Sequence, residues 1–285
     1  MNSLAPASGG RSASGHRVAQ SRGWFRRGRF GAPHWADIRQ GAFLDCWFVS
    51  ALASLLFVGA APEYGISGEE AYRFGFFREG QPREVTVDGR LKYVAGISVF
   101  ASSRVAGDIW PGLWEKAYLS LVSGVPGDVP DVALLEAPGL PGDALATLTG
   151  LQVATLAGRR GLVDELEARC DFTGRLSVAA VGATSHAVDH RQTALGSSHA
   201  YSVLGVVRHA GRRHVLVNDP RGRREVERPL AWEILERTDW LVAEGRAARG
   251  EHSGVLPLDE ELFAASYRYI DYVAPATPRQ NPTSE

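Results

Sequence analysis

One cysteine of this chain stands where a nucleophile would stand. Cys46 opens the apolar run CWFVSALASLLFVGA, which predicts a buried helix with Asp45 as its N-cap. A thiol at a helix N-terminus feels the positive end of the helix dipole, which stabilises the thiolate. Free cysteine is also among the most commonly buried residues, so a packing role for Cys46 stays open at this point.

His199 is the histidine best placed to act as the base. It opens the alternating strand HAYSVLGV, which could hold its ring rigidly. A turn near 210–211 would return the chain along a strand that ends in LVNDPRG, so Asn218 would come close to His199. An asparagine carbonyl that accepts from one ring nitrogen holds the imidazole in the useful tautomer. Asn218 is equally an ordinary turn residue, and a histidine can simply cap a strand.

Acyl transfer also needs hydrogen-bond donors for the negative oxygen of the tetrahedral intermediate. Gln40 lies six residues before Cys46 and could aim a side-chain N–H at that oxygen. The backbone N–H of Cys46, at the predicted helix start, would be the second donor. The candidate catalytic set is therefore Cys46, His199, Asn218 and Gln40.

Two subdomains are predicted to position these residues. Residues 31–160 predict a helical subdomain that carries the nucleophile, and residues 161–275 predict a β-rich subdomain that carries the histidine and asparagine. We therefore predict an α+β fold in which the two halves face each other across a cleft. Residues 1–30, rich in Ser, Gly and Arg, and residues 276–285 predict flexible tails.

The composition argues against several classes of protein. The net charge of −1 gives no argument for nucleic acid binding, and no run of 18 apolar residues predicts a membrane span. The two cysteines, Cys46 and Cys170, are far apart and form neither a disulfide framework nor a zinc motif. The N-terminus lacks the apolar core of a secretory signal, so the expected location is the cytoplasm, with specialised export left open.

Five separated segments resemble the calpain-type, papain-like cysteine proteases. DIRQGAFLDCWFVSALASL resembles the family's active-site segment, which commonly reads D-I-x-Q-G-x-x-G-D-C-W. YRFGFF and REVTVDGRLKY resemble a strand pair of the family, and LWEKAYLSLVSG resembles its L-E-K-A-Y-A-K helix. HAYSVLGV matches the histidine segment almost residue for residue, and VNDPRG resembles the N-P-W-G asparagine motif. The resemblance runs from about Trp35 to Val273.

This resemblance implies a papain-like fold and a set of roles. It makes Cys46 the nucleophile, His199 the general base and acid, Asn218 the orienting residue and Gln40 the oxyanion donor. The implied activity is that of an endopeptidase that hydrolyses protein substrates through a thioester, with no cofactor required for the chemistry. Asp37 matches one acidic calcium position of the animal members, which leaves calcium open as an activator.

Three departures from the family pattern keep other functions open. Leu44 stands where the family usually has glycine, and its side chain would narrow the cleft or strain the loop. Asp219 reads as an insertion in N-P-W-G, and Arg221 replaces a tryptophan that shields the family's His–Asn hydrogen bond from water. The alternatives are acyl transfer to an amine, as in transglutaminases, and a non-catalytic calpain-like domain that binds a partner.

Overall fold

The computed structural model describes residues 24–67, 71–124, 139–157, 161–185, 195–222, 229–245 and 254–274. The predicted α+β class is confirmed, because the first half contributes the longest helices and the second half a six-stranded antiparallel sheet. Among the described residues, no helix is long and apolar enough to cross a membrane.

The described helices are seven α-helices and one 3₁₀ turn at Trp35–Asp37. In chain order the helices are α1 (Cys46–Phe57), α2 (Trp110–Ser123), α3 (Pro141–Thr149), α4 (Leu162–Glu167), α5 (Pro229–Glu236), α6 (Asp239–Ala243) and α7 (Glu260–Ser266). The strands are β1 (Trp24–Arg26), β2 (Ile38–Arg39), β3 (Tyr64–Ser67), β4 (Ala71–Arg78), β5 (Gln81–Asp88), β6 (Leu91–Val94), β7 (Ile97–Ser98), β8 (Ser102–Ser103), β9 (Ala154–Ala157), β10 (Arg175–Thr184), β11 (Ala200–His209), β12 (Arg212–Asn218), β13 (Val255–Asp259) and β14 (Tyr267–Val273).

Helix α1 is buried on nearly every side, as its apolar sequence predicts, and it packs on α3, β10 and β11. Phe48 is fully buried and stacks on Tyr118 of α2, with ring centroids 4.4 Å apart. Truncating a buried aromatic residue to alanine typically costs about 3–5 kcal/mol. Ser50 Oγ donates to the carbonyl of Ala200 at 3.0 Å, and Ser202 Oγ donates to the carbonyl of Ser50 at 2.8 Å. These two bonds fix the helix that begins at the cysteine against the strand that follows the histidine.

The predicted hairpin of the second half is confirmed. Strands β11 and β12 pair antiparallel across a turn at Ala210 and Gly211, both of which have positive φ angles, as tight hairpin turns favour. The register pairs Ser202 with Asn218 at the end that faces the cysteine. The six strands follow the order β13-β12-β11-β10-β14-β9, so the hairpin lies near the middle of the sheet.

The first half also contains strands, in three small sheets with the orders β1-β6-β7, β2-β8 and β3-β4-β5. The predicted tail of residues 1–30 is too long, because β1 pairs with β6 and the Phe30 ring stacks on Tyr64 at 4.9 Å. The high Ser, Gly and Arg content of this segment predicts disorder, although aromatic residues in its last part pack against the fold. Residues 1–23 and the predicted C-terminal tail, 276–285, lie outside the described residues.

Candidate active site

Cys46 is the first residue of α1, and its sulfur lies against the start of β11. Its Sγ accepts a hydrogen bond from the backbone N–H of Ala200 at 3.4 Å. Since Ala200 follows His199 in the chain, this contact brings the histidine of one half beside the thiol of the other. The backbone of the histidine segment therefore contacts the thiol, and the pairing of the His199 ring with Cys46 stays a prediction.

The surroundings of Cys46 favour the neutral thiol. Its pKa is raised to about 11, mainly by burial and also by the charge of the nearby Asp45. The N–H groups of Ala200 and Trp47 and the charge of Arg221 act in the opposite direction. Burial therefore opposes the stabilisation that the helix start is expected to give the thiolate. A reactive thiolate has to arise by proton transfer to a neighbouring base.

The His199 ring is oriented by a carboxylate. Its Nε2 lies 2.9 Å from Asp219 Oδ1, and both side chains are buried. Burial opposes the ionisation of Asp219, but hydrogen bonds and charges from His199 and Arg221 outweigh it and lower its pKa to about 2. A carboxylate can only accept, so Nε2 carries a proton and Nδ1 is the ring atom that can take one. This is the tautomer that a base for Cys46 needs.

Asn218 does not make the predicted contact with His199. Its Oδ1 is buried and has no hydrogen-bond partner among the described residues. The reason is the alternation of side chains along a strand: Asn218 pairs with Ser202 and shares its face, whereas His199 lies an odd number of residues from Ser202. Asp219, one residue later, lies on the face of the histidine. The signal for it is the motif D-P-R-G, which matches N-P-W-G position by position without an insertion.

Asp219 is held by the turn that it begins. Gly222 N donates to Asp219 O at 2.9 Å, and Arg221 N donates to Asp219 Oδ1 at 2.9 Å. Asp at the first turn position, Pro at the second and Gly at the fourth are the residues that such turns favour. Asp219 N in turn donates to Gly254 O at 2.9 Å, which fixes the turn to the start of β13. The carboxylate is therefore positioned by backbone geometry before any substrate binds.

Gln40 lies on the loop before α1 and is tied to both halves. Its backbone N donates to Pro220 O at 2.7 Å, so this loop contacts the turn that carries Asp219. Its side-chain Nε2 donates to Phe43 O, also at 2.7 Å, and this bond fixes the amide. An amide nitrogen has two N–H groups, and besides its bond to Phe43 the Gln40 side chain interacts with the carboxyl of Asp45, whose pKa it lowers. Its role at an oxyanion stays a prediction.

Two buried carboxyl groups behind the nucleophile could not be predicted as a pair. Asp45 precedes α1, but its side chain makes no capping hydrogen bond and is fully buried near the fully buried Glu115 of α2. Glu115 Oε2 accepts from Ala101 N at 2.6 Å. Burial raises the pKa of both carboxyl groups, and the charge of Asp45 raises that of Glu115 further. The raised pKa favours the protonated form of Glu115 beside Asp45.

The comparison with known proteins gives the family. A family model described as calpain family cysteine protease matches residues 26–233, which is most of the chain. The chain belongs to the calpain family. Its papain-like core therefore stands as a finding, with the α+β architecture described above.

Individual calpains are moderately similar. Calpain-13 of Rattus norvegicus is 28% identical over 231 residues, which cover 74% of this chain and 32% of calpain-13. The calpain-type cysteine protease DEK1 of Arabidopsis thaliana is 30% identical over 267 residues, which cover 86% of this chain and 12% of DEK1. The chain thus spans about a third or less of the length of these two relatives.

Leu44, in place of the usual calpain glycine, fits its loop without backbone strain. It is not among the described residues with a positive φ, so the strain considered from the sequence is absent. Its side chain is 38% exposed and projects from the loop just before the nucleophile. Ser198, the residue before the histidine, does adopt the left-handed region at φ +50°. Strained residues of this kind cluster at functional sites.

Asp37, at the position of a calpain calcium ligand, is surrounded by charged residues of both signs. Asp37 is buried, and burial raises its pKa, while His34 and Arg104 act against this and Asp108 adds to it. Arg104 also donates its backbone N–H to Asp37 O at 2.8 Å, and Asp108 forms an ion pair with Arg29. The two arginines therefore already supply positive charge to this pair of acids.

Calcium requires six to eight oxygen ligands, most of them carboxylates and carbonyls. Among the described residues, no group of three or more His, Cys, Asp and Glu side chains could hold a metal ion. A divalent cation at Asp37 would also be repelled by the guanidinium of Arg104. Calcium at Asp37 stays a prediction, and the described acidic side chains alone do not supply a ligand set for it.

Proposed function

We propose that this calpain-family domain is a cysteine endopeptidase that hydrolyses peptide bonds of protein substrates. The observation that carries the proposal is the buried His199–Asp219 hydrogen bond, together with the bond from the N–H of the next residue, Ala200, to the sulfur of Cys46. A buried thiol with a raised pKa is inert unless a base takes its proton, and an imidazole oriented by a carboxylate is such a base.

The first half of the reaction forms a thioester. His199 Nδ1 takes the thiol proton, and the sulfur of Cys46 attacks the peptide carbonyl. Asp219 stabilises the resulting imidazolium, because its carboxylate accepts from the opposite ring nitrogen. The tetrahedral oxygen would receive hydrogen bonds from the Cys46 N–H and the second N–H of Gln40. The C–N bond then breaks, and the imidazolium gives its proton to the leaving amine.

The second half releases the product. His199, again neutral, takes a proton from a water molecule, whose oxygen attacks the thioester carbonyl. The C–S bond breaks, the carboxylic acid product leaves, and the proton on the imidazolium returns to the sulfur of Cys46. No cofactor is needed, because each step moves only one proton and one acyl group.

The test is chemical labelling combined with proteolysis. Purified protein should be labelled at Cys46 by an epoxysuccinyl inhibitor and should cleave unfolded casein, and Cys46→Ala should lose both. Cys170→Ala is the matched control, since it removes the other cysteine, which lies at the end of α4, and should retain both activities. Intact protein that shows neither labelling nor cleavage, with calcium or with chelator, would favour a non-catalytic binding domain instead.

A second candidate is acyl transfer to an amine, as in transglutaminases. The observation that favours it is the carboxylate of Asp219 on the histidine, where calpains usually carry asparagine. Both functions share the thioester at Cys46 and differ only in the group that attacks it. Incorporation of a labelled primary amine into a glutamine-containing protein, exceeding hydrolysis, would select this second function.

A further inference from the structure

Arg221 donates three hydrogen bonds to the carboxylate of Asp219, which orients the histidine. Its Nε lies 3.1 Å from Asp219 Oδ1, and its Nη2 lies 3.0 Å from Asp219 Oδ2. Its backbone N–H donates to Oδ1 as well, at 2.9 Å. Asp219 Oδ1 therefore accepts from His199 and twice from Arg221, while Oδ2 accepts from the guanidinium. A planar guanidinium bonded to both oxygens fixes the plane of a carboxylate, which a single hydrogen bond does not.

Arg221 also covers this carboxylate from solvent. Its side chain is 25% exposed, whereas the side chains of Asp219 and His199 are 3% and 8% exposed. The guanidinium lies against Gly196, where an added Cβ would be 2.8 Å from Nη2. Gly196 is held in place, because its N donates to Tyr201 Oη at 2.7 Å and its O accepts from Thr184 Oγ1 at 2.5 Å. The backbone of Gly196 is therefore fixed, and it bounds the space that the Arg221 guanidinium fills.

The guanidinium also acts on the charges of the site. Burial opposes the charged form of Arg221, but Asp219 outweighs it and raises the pKa of Arg221. The titratable groups around this pair are Cys46, His199, Tyr201 and Tyr267, and burial raises the pKa of both tyrosines. At neutral pH the tyrosines are neutral, so the charges that act on this part of the site are Asp219 and Arg221, with Asp45 on the other side of the thiol in sequence.

We propose that Arg221 is a positioning residue of the acyl-transfer site, which acts through Asp219 and forms one functional unit with it. The proposal rests on the function proposed above. Arg221 holds the carboxylate in the plane in which it accepts from the His199 ring and keeps water away from that hydrogen bond. Its positive charge offsets part of the charge of Asp219, so the imidazolium is stabilised enough to form and still able to release its proton to the leaving amine.

Four variants test the unit: Arg221→Gln, Arg221→Lys, Asp219→Asn and the double variant Arg221→Gln with Asp219→Asn. We expect Arg221→Gln to lower kcat about 10- to 100-fold with little change in KM, as small misplacements of catalytic groups do. Arg221→Lys should recover only part of kcat, because an ammonium keeps the charge but not the two-point contact. The double variant should lose less than the product of the two single losses, since the two residues act together.

A second measurement distinguishes a positioning role of Arg221 from a general loss of folded structure. The rate of Cys46 alkylation against pH should shift upward by about one pH unit in Arg221→Gln, because removing a nearby positive charge makes protons harder to release. The matched control is Arg213→Gln, whose native side chain pairs with Asp164, Glu167 and Glu260 outside the site. It removes ion pairs to three carboxylates, against one for Arg221→Gln, but should leave kcat and the alkylation profile unchanged.

The outcomes distinguish this inference from the proposed function. Wild-type protein that neither labels nor hydrolyses overturns the proposed function itself. If the wild type is active and Arg221→Gln matches it in kcat and in alkylation profile, Arg221 has no positioning role. If Arg221→Gln loses only stability in urea, or if the two single losses simply multiply, the unit of Arg221 and Asp219 is likewise refuted.

Discussion

Asp219 Oδ1 lies 2.9 Å from His199 Nε2, both side chains are buried, and the turn that Asp219 begins fixes the carboxylate. The histidine partner is therefore an anion, whereas the usual calpain partner is a neutral amide. An anion stabilises the imidazolium more strongly, and the imidazolium must form because burial favours the protonated thiol of Cys46. The acid at this position thus compensates for the burial of the nucleophile.

This arrangement predicts different effects for two adjacent residues. Asp219→Ala should lower kcat by about 100-fold or more, because the ring loses its orientation and its counter-charge. Asn218→Ala should leave kcat within about threefold, since Asn218 Oδ1 has no hydrogen-bond partner among the described residues. Steady-state hydrolysis of a fluorogenic peptide compares the two variants directly. Equal losses in both would refute the assignment of Asp219.

The helix and the hairpin that carry the site could be predicted from the sequence, whereas Asp219 as the partner of His199 was not predicted. Alternation and the turn near Gly211 predicted the hairpin, and the apolar run after Cys46 predicted the helix. The choice between Asn218 and Asp219 depends on strand register, and a shift of one residue moves a side chain to the opposite face. No local pattern fixes that register here, because β11 and β12 contain an irregularity between Val203 and Gly205.

The two cysteines predict a comparison of thiol reactivity within one molecule. Burial is the main cause that raises the pKa of Cys46 and of Cys170 to about 11 each, and the sulfur of Cys46 accepts from Ala200, the residue next to His199. In the wild type, iodoacetamide should alkylate Cys46 at neutral pH and Cys170 only as the pH approaches about 11. His199→Ala should give Cys46 the same alkaline profile as Cys170. Mass spectrometry after timed alkylation measures both, and neutral-pH reactivity of Cys46 in His199→Ala would exclude His199 as the base.

The surroundings of Asp37 predict how the proposed hydrolysis responds to calcium. Because Arg104 and Arg29 already supply positive charge there, hydrolysis should differ by less than about twofold between millimolar calcium and chelator. Asp37→Asn should lower thermal stability, since it removes the partner of Arg104, without creating or removing a calcium response. An activation by calcium of tenfold or more that Asp37→Asn abolishes would show that a metal does bind at Asp37.

The buried acid Glu115 predicts that stability falls as the pH rises. Its pKa is raised well above 4.5 by burial and by Asp45, so its contribution to stability is fully present below pH 4.5 and is lost as the pH rises through its folded-state pKa. Glu115→Gln carries no such proton and should flatten this decline, and it should gain stability relative to the wild type at alkaline pH. Urea unfolding from pH 5 to pH 9 measures the free energy of unfolding in both.

Glu244 provides the control of opposite sign. Burial opposes its ionisation, but hydrogen bonds from His34, Trp35 and Arg175 prevail and lower its pKa to about 2. Its contribution is therefore present above pH 4.5 and is lost as the pH falls through about 2. Glu244→Gln should then lose stability at neutral pH and converge with the wild type in acid, whereas Glu115→Gln should differ from the wild type most in alkali. If both variants diverge from the wild type at the same end of the pH range, Glu115 is not the neutral acid that holds the proton beside Asp45.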